Sequence, residues 1–112
     1  MVSGMNPSIS PSTDSVEVGT LQQSLLWMLH DMGHLKKYPM ALGNLGDLEE
    51  ICPTPGRPPS IEILQASIMA AQKYYNNQHV YPYTYLGGYL YRNRRYKEAF
   101  DAWANAANVI KK

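Results

Sequence analysis

Tyr81-Pro82-Tyr83-Thr84-Tyr85-Leu86-Gly87-Gly88-Tyr89-Leu90, followed after a short basic run by Tyr96-Lys97-Glu98-Ala99-Phe100-Asp101-Ala102-Trp103-Ala104-Asn105-Ala106, is the stretch on which the reading of the fold turns. Pro82 suits the first turn of a helix, because its missing N–H is one that the helix leaves unbonded there. At about 100° per residue Tyr83, Leu86 and Leu90 share one face, and Tyr81, Thr84, Tyr85 and Gly88 share the opposite one. A second helix is expected from Tyr96 to Ile110, with Ala99, Trp103, Ala106 and Ile110 turned inward. Gly87 and Ala99 let the two helices approach closely, and the large side chains fill the space around them.

This order is the tetratricopeptide pattern: an aromatic, Leu-Gly and a bulky residue in one helix, then aromatic and small residues alternating in the next. A weaker copy precedes it. Leu25, Met28 and Met32 supply its large residues, with Leu29 where glycine is wanted, then Tyr38, Ala41, Leu45 and Leu48, and Pro53 at the closing proline. The two copies stand much farther apart than the ~34 residues of a simple array. A further helix and its connector account for the excess.

Outward from this pattern the rest of the chain reads as follows. Residues 1–13 form an extended lead-in. Asp14 looks like an N-cap, with Glu17 as its capping-box partner. Leu21, Leu25, Met28 and Met32 repeat at helical spacing and are expected to be buried, and Gly33 stops the helix. The next helix runs from Pro39 to Ile51 on an Ala41, Leu45 and Leu48 face. Four prolines in residues 52–60 make a stiff connector. Ser60 caps a helix over 61–77, with Ile61, Leu64, Ile68, Ala71 and Tyr75 on one face and Asn76-Asn77 at its end. No segment alternates with period two. The expected architecture is all-α, about five helices in tetratricopeptide-like antiparallel pairs: 14–51, the additional helix 61–77, and 82–111.

Composition narrows the function. The net charge is +1, which argues against a general polyanion binder. Cys52 is the sole cysteine, so no internal disulfide can form. No apolar run approaches the ~20 residues of a membrane span, and Met1 to Pro7 lack a secretory signal. A soluble intracellular protein is the expectation. Nine tyrosines stand against one phenylalanine, a balance suited to half-wet grooves. Neither a nucleophile triad nor a glycine-rich phosphate loop is present.

Two other chemistries compete. His30-Asp31-Met32-Gly33-His34 is similar to the zinc motif His-Glu-x-x-His. Its aspartate is short, its glycine threatens the helix, and a third ligand is missing, so no metal and no cofactor are expected. Arg92-Asn93-Arg94-Arg95-Tyr96-Lys97 could grip phosphates with Tyr96 stacking, giving weak DNA contact. A solvated turn between helices is the simpler reading, and a generic tetratricopeptide adaptor is the other alternative.

The strings Asn6-Pro7-Ser8-Ile9, Tyr38-Pro39-Met40-Ala41-Leu42-Gly43-Asn44-Leu45, Asp47-Leu48-Glu49-Glu50, Pro53-Thr54-Pro55-Gly56-Arg57-Pro58 and Tyr81-Pro82-Tyr83 resemble the menin family. The resemblance runs along nearly all of the chain but covers a middle portion of a longer protein, so a fragment or partial chain is expected. It implies a non-catalytic nuclear scaffold acting in transcription and chromatin regulation. The implied partners are peptides of the mixed-lineage leukaemia histone methyltransferase and of JunD, with the chromatin reader LEDGF. The implied peptide-binding residues are Tyr38, Met40, Asn44, Tyr81, Thr84, Tyr85 and Trp103, with Ser3 and Gly4 at the pocket edge. Ser3, Gly4 and Thr84 replace the family's cysteine, alanine and methionine, which makes the wall more polar and less filled.

Overall fold

The structure is a computed structural model that describes residues 11–111, with side chains from Val18 onward. Five helices follow in order: α1 (Pro11–Asp31), α2 (Pro39–Ile51), α3 (Ser60–Tyr74), α4 (Tyr81–Arg92) and α5 (Tyr96–Lys111). No strand occurs among the described residues, so the fold is all-α. Prolines open α2 and α4 in their first turns. None of the helices is long and apolar enough to cross a membrane.

The helix ends follow local chemistry. Gly33, at φ +81°, stops α1: its N–H donates to the His30 carbonyl, and the His34 N–H reaches the Leu29 carbonyl. α4 ends the same way, but Arg94 holds the left-handed position at φ +63°. Its N–H donates to Tyr91 and that of Arg95 to Leu90. Asn76 and Asn77, both left-handed, follow the end of α3. α1 begins at Pro11, so Asp14 stands inside the helix and not ahead of it. The side chains of Asp14 and Glu17 lie outside the described ones.

α4 packs on α5 as the repeat pattern requires, around Leu90, Ala99 and Ala102. The indole of Trp103 lies against Gly87, where a Cβ would collide with it. The neighbour α2 grips most closely is α3, not α1. At Gly46 a Cβ would come within 2.7 Å of the Leu64 side chain. Two buried serines satisfy their hydroxyls across that seam: Ser60 donates to the Gly46 carbonyl at 2.5 Å and Ser67 to that of Pro39 at 2.6 Å.

Two expected inner faces are corrected. Leu21, Leu25, Met28 and Met32 lie on the outside of α1, each more than half exposed, and Ile110 is exposed at the end of α5. α1 instead buries Gln23 and Trp27. The reason is Glu49, a carboxylate buried on α2. Gln23 Nε2 donates to it, as do Trp27 Nε1 at 2.9 Å, the Thr54 N–H at 2.9 Å and the Thr54 hydroxyl. A buried carboxylate demands such donors, and that demand decides which side of α1 turns inward. Burial pushes the Glu49 pKa up, yet the bonds from Thr54, Trp27 and Gln23 outweigh it and hold the carboxyl below its usual value.

Candidate peptide-binding face

The side chains expected to bind a peptide come mostly from α2 and α4. On α2 these are Tyr38, at the N-cap, then Met40 and Asn44; on α4 they are Tyr81, Thr84 and Tyr85. The two rows join where the Tyr85 hydroxyl donates to Asn44 Oδ1 at 2.7 Å. Gly43 permits this join: a Cβ there would come within 2.6 Å of Tyr85 Cδ2, so the ring lies directly on the α2 backbone. Tyr85 is thereby half-buried. Burial, followed by the nearby Asp47 and Tyr81, raises its phenol pKa above the ordinary value.

The other members stay open. Tyr38, Met40 and Tyr81 are 57%, 44% and 54% exposed. The Thr84 hydroxyl donates to the Tyr81 carbonyl at 2.8 Å and does not project as an unbonded donor. The outward face of α4 is thus divided: Tyr81 and Thr84 face solvent, while Tyr85 is spent partly on holding α4 to α2. Arg92, farther along the same helix, ties it to Glu50 at 2.5 Å and Asp47 at 3.3 Å.

Trp103 belongs to a second aromatic group. Its ring lies 5.6 Å from Tyr91 and 5.7 Å from Phe100, and Tyr91 lies 5.1 Å from Tyr96. The spacing of Tyr96, Phe100 and Trp103 along α5 could have signalled this group, whereas the arrival of Tyr91 depends on how α4 packs on α5. Ser3 and Gly4 lie outside the described residues.

The competing sites look different in three dimensions. His30 Nδ1 lies 3.3 Å from Asp31, whose carboxylate Arg57 grips with two bonds of 2.7 and 2.8 Å. Arg57 and then His30 lower the Asp31 pKa to about 2. His34 falls beyond the end of α1, so the two histidines do not share a helical face. In the basic run, Arg92 is paired as above and Arg95 is paired with Glu98 at 2.6 Å, so half of its cations are neutralised within the chain.

The menin family model matches residues 1–112. Among solved structures, a crystal structure of menin that reveals the binding site for Mixed Lineage Leukemia (MLL) protein is 57% identical, with a TM-score of 0.85. The match covers 93% of this chain and 24% of that one, so the chain spans about a quarter of its length. A family match along the entire chain, and that identity on the same fold, lead to one conclusion: the chain belongs to the menin family.

Proposed function

We propose that this chain is a non-catalytic nuclear scaffold segment that contributes one wall of a peptide-binding pocket. The observation that carries the reading is the join of Tyr85 to Asn44 between α4 and α2, with the open Tyr81 one turn before Tyr85 and the open Tyr38 at the start of α2. Exposed tyrosines offer flat apolar area to a proline or phenylalanine anchor, and their hydroxyls and the Asn44 amide suit the backbone of an extended peptide. An arginine of the peptide could stack on the same rings. The partners on this reading are an MLL-type methyltransferase peptide, which menin binds, and a JunD-type peptide, with a LEDGF-type reader joining the assembly and the whole acting in transcription. Trp103 would serve from behind, across α5.

The test is calorimetric titration of an MLL-type peptide into a full-length menin-family protein carrying this segment. Tyr81→Ala is expected to weaken binding by more than ~1 kcal/mol, because an exposed anchor ring is lost without disturbing the core. An affinity that does not change removes Tyr81 from the wall. Loss of binding in Asn44→Ala with Tyr81→Ala silent would confine the site to α2.

A further inference from the structure

A cavity of about 780 Å³ opens on a different face, between the end of α1, α2 and α3. Its floor is apolar: Leu42 and Ala70 from the core, with Ala66 and Met69 along α3. Met69 is 67% exposed, and its flexible thioether can reshape to fit an incoming anchor. The rim is basic. Lys36 and Lys73 line it, and Lys37 and Lys73 both stand over the Tyr74 ring, at 5.7 and 5.2 Å from its centre.

No aspartate or glutamate among the described residues lines the cavity. Among the described residues none of these three lysines is in an ion pair, whereas Arg57, Arg92 and Arg95 all are. Three of the four arginines are thus neutralised within the described residues, while these three ammonium groups stand uncompensated at one apolar groove. Such a field attracts anions and repels cations, while the floor calls for a large apolar group.

We infer that this groove docks an acidic peptide segment that carries a large apolar anchor, with the anchor on Met69 and Ala66 and its carboxylates beside Lys36 and Lys73. The charge on the rim selects the occupant. A neutral apolar helix would leave the lysines unanswered, and a second copy of this groove would set lysine against lysine. The surface is separate from the tyrosine row and stands or falls independently of it.

The experiment uses a short fluorescein-labelled peptide with leucine and phenylalanine set among glutamates, and a counterpart with lysines in place of the glutamates. Each is titrated into the 112-residue chain by anisotropy. The acidic peptide is expected to bind and the basic one not. Combining Lys36→Glu with Lys73→Glu is expected to weaken the acidic peptide about tenfold and to admit the basic one. Raising salt from about 50 to 300 mM is expected to weaken the wild-type complex. If circular dichroism shows that the double variant loses helix, Met69→Asp takes its place, with the same loss expected. Equal binding of both peptides, or an acidic peptide indifferent to these substitutions, overturns the inference. So does dodecyl sulfate binding where the peptide does not, since the groove would then take a small anionic amphiphile.

Discussion

Gly46 has no side chain, and Leu64, itself fully buried, fills the space one would need. Alanine there gains ~1 kcal/mol of helix propensity. It also forces a Cβ to within 2.7 Å of the Leu64 branch and 3.3 Å of its backbone nitrogen. Overpacking of this kind costs ~1–3 kcal/mol, and Leu64 has nowhere to go. Gly46→Ala is therefore expected to lower the urea midpoint, and an unchanged or higher midpoint would show that α2 and α3 can separate freely. Arg94 presents the opposite case. It occupies a left-handed helix end that suits glycine, with its side chain exposed and in no ion pair among the described residues. Arg94→Gly is expected to stabilise the chain by ~0.5–1 kcal/mol, read as a rise in Tm.

At the scale of elements, Glu49 fastens α1 and the proline-rich connector to α2. Its folded pKa lies below that of a free glutamate, so the unfolded chain binds its proton more readily. The contribution to stability is complete above the unfolded value of about 4.5 and is lost as pH falls through the lower folded value. Bonds to a charged acceptor contribute about 1.5–3 kcal/mol each, and glutamine cannot accept from as many donors. Glu49→Gln is expected to lower stability by ~2–3 kcal/mol at neutral pH, with the gap narrowing as pH falls below about 4.5 and Glu49 takes up its proton. Thermal melts across that range check this, and a gap independent of pH refutes it. The same element shows what was legible in the sequence. The α4–α5 pair could be read because Leu86-Gly87, Ala99 and Ala106 sit close together in a spaced pattern. The burial of Gln23 could not, since a polar residue reads as surface until Glu49, on another helix, is known to lie beside it. The outward tyrosines followed from helical geometry, but the seat of Tyr85 on Gly43 depends on how two distant helices pack.

For the molecule as a whole, the apolar stripe on α1 is the clearest departure from a closed core. Leu21, Leu25, Met28 and Met32 were expected inside on spacing alone, yet periodicity identifies a face and not the neighbour that covers it. Among the described helices α1 packs chiefly on α2, with Trp27 reaching α3, and its opposite face is open. The two faces of α1 should therefore respond in opposite ways. Trp27, 4% exposed, packs with Leu35, Leu42, Leu45, Ile63 and Ala70 and donates to Glu49. Trp27→Ala is expected to cost ~3–5 kcal/mol, from lost burial, a cavity and a carboxylate short of a donor. The combined change Leu25→Gln and Met28→Gln alters side chains that are more than half exposed, and is expected to stay within ~1 kcal/mol of the parent. Urea unfolding of the 112-residue chain at low protein concentration measures both. If the glutamine pair were as damaging as Trp27→Ala, the stripe would have to be buried in solution, and the open face of α1 described here would be wrong.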